Sequence, residues 1–324
     1  MSNFWYTLLM ENKTPRNIVM WLKSVDDHAL SNFHNRKGVA YHKFFKRISE
    51  RDNFRFAYNV ESYLGKGVFS NVAVYKEGEI VKTNDNFKAD VIYQFKKMAD
   101  TDFDRSEVVI TNTPEFKDFC VKINTYDYMP QFFPKTFLAK NIEDIKDALT
   151  KIKTKKVVLK PNRGSNGDDV YIWDANDVDL NLIPKDKLED QGFLVQEFID
   201  TSLGIPNIAP SYHDLRIITH GDKISLCHVR QPVPGTLISN SHRGASITEI
   251  DIDSIPSFIL DFYKEVHSEI TKKYPKPLYS MDIGIGSDGP KLIELNSHTA
   301  FPGENFKCMD RFIDNLIEHL ETIQ

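Results

Sequence analysis

Apolar residues along this chain fall into short runs separated by polar stretches, the rhythm of strands and helices alternating around open sheets. In the first third, Asn17-Ile-Val-Met-Trp-Leu predicts a first strand, residues 42–51 a basic helix, residues 54–60 and 72–75 further strands, and Val108-Val-Ile another. Gly65-Lys-Gly-Val interrupts the pattern. It lacks the spacing of a nucleotide-binding glycine loop and reads as a simple turn.

The character changes at residues 111–134, where Thr113 can cap a helix and Pro114 suits its first turn. Phe116, Phe119, Cys120 and Ile123 would share one face of that helix, with Lys122 off the stripe, and Pro130 and Pro134 would end it. We read this stretch, with Lys135-Thr-Phe-Leu-Ala after it, as a linker between domains. Residues 143–152 then have helical spacing, and Lys155-Lys-Val-Val-Leu-Lys-Pro is a β-branched strand ending in the cation Lys160. Asn162-Arg-Gly-Ser-Asn-Gly-Asp-Asp follows, and Val170-Tyr-Ile-Trp returns as a strand. Such a loop reads either as an ordinary hairpin or as a flap whose N–H groups bend over phosphate oxygens.

Phe193-Leu-Val-Gln-Glu-Phe-Ile-Asp is a strand ending in polar residues, and residues 201–212 form a loop longer than a tight connection. Residues 213–230 predict a hairpin turning at Gly221-Asp222, residues 254–274 a helix with Ile259, Phe262, Tyr263, Val266 and Ile270 on its core face, and residues 312–323 a closing amphipathic helix. Arg216, Arg230 and Arg243 are spaced to converge on anions from adjacent strands and a loop, or to lie separately on the surface. Between the two helices, Asp282 and Glu294 sit among apolar residues on either side of Gly286-Ser-Asp-Gly-Pro, a hairpin turn. Glu294 and Asn296 alternate onto one face, and pairing can bring Asp282 beside them. Two carboxylates and an amide oxygen make a hard cluster suited to Mg²⁺; the alternative is a half-exposed hairpin with surface acids.

The 324 residues suffice for two or three domains, and 41% hydrophobic with 27% charged residues describes a soluble globular chain. A net charge of −5 argues against a nucleic-acid partner. Cys120, Cys227 and Cys308 show no paired spacing and read as free thiols in a reducing compartment. His213, His220, His228, His242 and His298 lack ligand spacing and read as structural or solvent-facing. The first residues carry no basic leader, and no run of eighteen apolar residues offers a membrane span, so a cytoplasmic enzyme without membrane partners is the expectation.

In this order, the segments resemble the ATP-grasp superfamily of carboxylate–amine ligases, most closely the branch of the ribosomal-protein glutamate ligase RimK and bacterial glutathione synthetase. The resemblance covers about residues 112–303 and is most specific at Ser239-Asn-Ser-His-Arg-Gly-Ala and at Asp282 with Glu294-Leu-Asn296. It implies an α/β (α+β) fold: an N-terminal open α/β domain over 1–115, a central lid subdomain over 116–200 and a C-terminal subdomain with the metal site over 201–324. Carried over, it makes Lys122 and Lys160 the lysines holding the nucleotide phosphates and puts Gly164, Ser165 and Gly167 in the loop covering them. Gln196, Glu197 and Ile199 fall in the adenine hinge, with Asp200 as a ribose contact. Asp214 and Arg216 match the Asp-x-Arg strand, Arg230 faces the reacting phosphoryl group, and Asn240 and Arg243 belong to the acceptor loop. Lys160, Arg216 and Arg230 are thus the catalytic cations, and Asp282, Glu294 and Asn296 the ligands of Mg²⁺, with Mn²⁺ as an alternative. Val121 stands where the family often has Asp before the first lysine, and Asn296-Ser-His-Thr-Ala-Phe-Pro-Gly replaces the family's Asn-Ser-Ser-Pro-Gly.

The chemistry implied is ATP-dependent amide formation through an acylphosphate, releasing ADP, on an amino acid or peptide, in a chain free to form a homo-oligomer. A peptide-modifying cyclase, a phosphotransferase and a nucleotide-binding regulatory module are the competing outcomes of the same resemblance.

Overall fold

A computed structural model describes residues 16–22, 38–58, 62–94, 105, 107–164, 167–240 and 243–323. The chain divides into two compact units, the first made of residues 1–111, 301–305 and 313–324 and the second of 112–300 and 306–312.

The first unit carries strands β1 (Ile18–Leu22), β2 (Phe54–Tyr58), β3 (Tyr63–Gly65), β4 (Val68–Phe69), β5 (Ala73–Lys76), β6 (Glu79–Lys82), β7 (Phe87–Lys88), β8 (Val91–Gln94) and β9 (Val109–Ile110), and helix α1 (Gly38–Ser49). Six strands form one sheet in the order β6-β5-β2-β1-β8-β9, and β3-β4-β7 form a smaller one. β1 runs parallel to β2 and β8, while β5 and β6 return antiparallel at one edge. Ile18, Val19, Met20 and Trp21 are all fully buried, as a central parallel strand covered on both faces requires. α1 begins ahead of the predicted residue 42 because its buried stripe starts at Ala40 and continues through Phe44 and Ile48. Gly65-Lys-Gly-Val is the turn of the β3–β4 hairpin, as expected. β6 escaped the periodicity because it is a largely exposed edge strand.

The second unit holds helices α2 (Pro114–Phe119), α3 (Lys122–Tyr128), α4 (Ile142–Lys151), α5 (Lys185–Asp190) and α6 (Ser257–Lys273), and the start of α7 (Met309–Thr322). Its four-stranded sheet has the order β10-β13-β11-β12, from β10 (Thr136–Ala139), β11 (Lys156–Pro161), β12 (Tyr171–Asp174) and β13 (Phe193–Glu197). Its five-stranded sheet has the order β16-β15-β14-β17-β18, from β14 (Asp214–His220), β15 (Lys223–Gln231), β16 (Ser246–Ile250), β17 (Leu278–Gly286) and β18 (Gly289–Asn296). Both predicted hairpins form, the first turning at Gly221-Asp222 and the second at Ser287-Asp288.

The linker reading of residues 111–134 is corrected by this structure. One predicted helix is two, because Val121 takes an extended conformation and the Asn162 side chain accepts from Ile123 N at 3.1 Å, capping a new start. Thr113 does accept from Phe116 N at 3.3 Å. Phe116, Phe119, Met129, Phe132 and Phe133 join Leu215, Ile217, Val229, Met281 and the α6 residues Ile259, Tyr263 and Val266 in one buried core. Lys135-Thr-Phe-Leu-Ala is no linker either, since β10 pairs antiparallel with β13.

Loop 201–212 closes on itself, with Ile205 N bonding to Ala209 O at 2.7 Å and both side chains buried. Gly204 has φ +72°, and a Cβ there would meet Ala209 O at 2.1 Å, backbone that cannot yield. Gly289 has φ +95° with open space around it. Gly204→Ala is therefore expected to cost more than about 3 kcal/mol in urea denaturation, and Gly289→Ala only about 1 kcal/mol for the left-handed backbone. Equal losses would show that the contact at Gly204 is not what demands glycine.

Candidate active site

Alternation divides the five-stranded sheet into an apolar face and a polar one. Leu215, Ile217, Val229, Met281, Ile283 and Leu295 enter the core. The residues between them point the other way, and the register lines up Glu249, His228, Arg216, Asp282 and Glu294 as successive partners across all five strands. One row further along, Asp214 pairs with Arg230; one row back, Ser280 pairs with Asn296.

Four of these side chains form a closed set of charges. Arg216 donates from Nε to Asp282 Oδ1 at 2.6 Å and from Nη2 to Oδ2 at 2.5 Å. Arg230 donates from Nε to Asp214 Oδ1 at 2.7 Å and from Nη2 to both Asp214 Oδ2 and, at 2.7 Å, Asp282 Oδ2. Two guanidiniums thus neutralise two carboxylates where water is excluded, Asp282 being 1% exposed. Such forked, charge-assisted contacts are what make the burial of ions affordable. Burial alone would raise the Asp282 carboxyl, but Arg216 and Arg230 outweigh it and hold the group well below the usual carboxylate range. Asp214 is lifted by burial, and by the neighbouring Asp282 charge, to about 6 despite Arg230.

Lysines reach the same place from other elements. Lys160, at the end of β11 and 4% exposed, donates to Ile293 O on β18 at 3.1 Å. Burial pushes its ammonium down to about 8, against the upward pull of Glu294 and Asp282, with Lys122 adding to the fall. Lys122, at the start of α3, stands 3.7 Å from Glu294 Oε2 and donates to Gly164 O at 3.2 Å. The expected phosphate lysines and the expected metal ligands therefore share one locality.

Asp282, Glu294 and Asn296 suit a hard cation. Asp282 Oδ2 already receives two donors, whereas Oδ1 receives one and keeps a lone pair. Glu294 Oε1 accepts from Asn296 Nδ2 at 3.2 Å, so a cation shared by these two residues requires the Asn296 amide to present its oxygen instead. Among the described residues, no three His, Cys, Asp or Glu side chains gather to hold an ion. Two carboxylates and an amide leave about half of an octahedral magnesium shell to water and substrate oxygens, as is usual for that ion.

The remaining expected residues have partners of their own. Gly167 has φ +73° and lies against Asn240 and Arg243, and Arg243 Nη2 donates to Gly167 O at 2.7 Å, tying the glycine loop to the 239–245 loop. Ser165 lies outside the described residues, as does His242. Gln196 is buried and donates to Thr136 Oγ1 at 2.7 Å; Glu197 accepts from Lys153 N at 3.0 Å. Ile199 packs so closely on β17 that a Cβ at Gly284 would meet it at 3.1 Å, and Asp200 accepts from Ser202 N at 3.0 Å. His213, His220 and His228 are buried. All three cysteines are free thiols, Cys227 and Cys308 buried.

Residues 128–307 match the family model of the RimK-like ATP-grasp domain, more than half of the chain. The chain belongs to the RimK-like ATP-grasp family. A probable alpha-L-glutamate ligase of Xanthomonas oryzae pv. oryzae is 24% identical over 188 residues, 58% of this chain and 59% of that protein. This RimK-like chain thus spans about 59% of the length of the curated relatives it matches. D-alanyl-alanine synthetase A from Vibrio cholerae superposes with a TM-score of 0.57 at 11% identity, covering 95% of this chain and 94% of that one. The ATP-grasp ligase PsnB, complexed with minimal precursor, gives 0.57 at 13% identity over 94% and 98%. These likenesses establish the ATP-grasp fold for a chain whose sequence suggested it.

Sequence reasoning missed several residues that position this RimK-like site. Asn162 starts α3, and hence places Lys122; Thr136 holds Gln196; Asn112 donates to Ser297 O, fixing the chain just after Asn296. Ser280 was legible in principle, since it lies two residues before Asp282 and so shares its face.

Two measurements follow from the charges. Arg230→Met leaves Asp214 buried with its neutralising partner gone, and should lower stability by about 3–5 kcal/mol in chemical denaturation. A loss under about 1 kcal/mol would mean the set is open to water. Between the Lys160 folded value near 8 and its ordinary 10.5, the unfolded chain binds more protons than the folded one, so stability from this residue rises with pH across that window. Relative to Lys160→Met, the metal-free wild type should gain up to about 3 kcal/mol from pH ~7.5 to pH ~10.5, and parallel profiles would refute the burial argument.

Proposed function

We propose that this protein is an ATP-dependent ligase that joins a carboxylate to an amine on an amino acid or peptide, releasing ADP and phosphate. The observation that carries the reading is the meeting of Lys160 from β11 and Lys122 from α3 with Asp282 and Glu294 from the β17–β18 hairpin. Cations from a strand and a helix, and carboxylates from a hairpin of another sheet, are what a triphosphate with its metal needs on its two sides. The ligase names of its relatives support the same reading.

A carboxylate resists amines because its oxygen leaves poorly; phosphoryl transfer from ATP turns it into an acylphosphate, and an amine attacking its carbonyl carbon forms the C–N bond and displaces inorganic phosphate. Asp282, Glu294 and Asn296 would hold Mg²⁺, which supplies charge neutralisation at the phosphate oxygens. Lys122 and Lys160 bind the phosphates by charge. Arg230, kept in place by Asp214 and Asp282, offsets the charge that develops on the transferred group and then on the oxyanion of amine attack. Arg216 holds Asp282 in position through both its oxygens. Gln196, Glu197 and Ile199 form the adenine hinge, and Asp200 reaches the ribose. The loop containing Gly164, Ser165 and Gly167 covers the phosphates and, through Arg243 and Asn240, joins the loop that faces the acceptor, excluding water from the activated acyl group. On this reading residues 116–200 act as the lid subdomain and 201–324 as the metal-bearing one.

The test is ADP release against individual amino acids and small peptides, with the mass of each product measured. ADP should appear only when an acid and an amine are both present, with loss of water between them in the product mass. A stable phosphorylated product would instead indicate a phosphotransferase, and dehydration of a single peptide a cyclase. Glu294→Gln should fold normally and lose roughly a hundredfold or more in turnover; near-normal turnover would discard the metal assignment.

A further inference from the structure

Ser280 occupies an unusual position for a hydroxyl. It is 1% exposed, and among the described residues its Oγ has no hydrogen-bond partner. A buried polar group in that state costs free energy that a structure rarely bears without a use for it. Its row contains Ile218 on β14 and Asn296 on β18. Ile218 offers nothing polar, so the cross-strand neighbour with which Ser280 can bond in its own row is the Asn296 amide. Facing residues in such a pair have Cβ atoms about 4.5–5.5 Å apart, within reach of a serine and an asparagine.

Asn296 has its own conflict. Its Nδ2 donates to Glu294 Oε1 at 3.2 Å, the carboxylate with which it is expected to share a cation. A cation attracts oxygen and repels an amide N–H, so its arrival turns the amide over and displaces Nδ2 from Glu294. The backbone beyond Asn296 is held by the Asn112 bond to Ser297 O, so the change must be made in the side chain. The displaced N–H₂ then needs an acceptor away from the cation.

We infer that Ser280 Oγ is that acceptor: Ser280 is a positioning residue that holds the Asn296 amide with its oxygen toward the cation. Two isolated imperfections of the site, an idle hydroxyl and an amide bonded to the wrong partner, are resolved by one rotation. The inference rests on the proposed nucleotide and metal site and adds a residue to it.

The test measures metal affinity and stability separately, using Mn²⁺ titrated into the intact protein with a non-hydrolysable ATP analogue and followed by the electron paramagnetic resonance of free Mn²⁺. Ser280→Ala should weaken Mn²⁺ binding in that complex by roughly tenfold, the effect of one hydrogen bond. Without metal and nucleotide its melting temperature should equal or exceed that of the wild type, because the lost hydroxyl had no partner. In an Asn296→Ala background the same substitution should leave Mn²⁺ affinity unchanged. Unchanged affinity in the single variant, or a lowered metal-free melting temperature with unchanged affinity, would overturn the inference. Absence of Mn²⁺–nucleotide binding by the wild type would instead overturn the underlying site.

Discussion

A guanidinium taken out of water must find an anion, and an anion taken out of water must find a cation. The polar face of the β14–β17 sheet is built on that constraint. Four donor nitrogens of Arg216 and Arg230 make five contacts to Asp214 and Asp282, so two positive and two negative groups, all buried except the partly exposed Arg216, stand together with no net charge. Low dielectric makes each contact strong and makes any unmatched member costly. The same face therefore carries a rigid array of charge without dependence on solvent, which is the condition for electrostatic catalysis without reorganisation. The apolar face explains how this is borne: Ile217, Met281, Ile283 and the α6 residues bury the sheet against the aromatic side chains of α2 and its successor segment.

Other parts of the site are organised for a different purpose. Lys122 and Lys160 carry positive charge without a dedicated carboxylate fork of their own: Lys160 bonds to a carbonyl, and Lys122 lies between Gly164 O and Glu294. Cations held this way are available to an incoming polyanion. The glycine loop is tied to the 239–245 loop through Arg243, so two segments far apart in sequence are coupled by a side chain rather than by adjacency.

The likeness to relatives divides in an instructive manner. The matched family region, residues 128–307, contains the charge set, the proposed metal ligands and Lys160, whereas Lys122 lies just before it and the Asn162 that caps its helix lies inside it. Ser280 and the Asn296-Ser-His-Thr-Ala-Phe-Pro-Gly stretch belong to the same locality. The proposed cation ligands and the stretch particular to this chain thus meet at the end of β18.

By itself the sequence determined the components: alternating patterns located β14, β15, β17, β18 and α6, and the placement of acids, lysines and arginines identified the families of chemistry they serve. Periodicity works for these because strands buried on an apolar face must alternate, and hairpin turns announce themselves through glycine. It failed for residues 111–139, where extended Val121 and a capping asparagine from 39 residues away split one helical pattern in two and a supposed linker proved to be core and strand. The sharing of Asp282 by two arginines, the descent of Lys160 onto Ile293, and the idle hydroxyl of Ser280 opposite Asn296 were decided by tertiary structure. Each depends on the register between strands distant in the chain, and register is set by the packing of whole faces, not by any local run of residues.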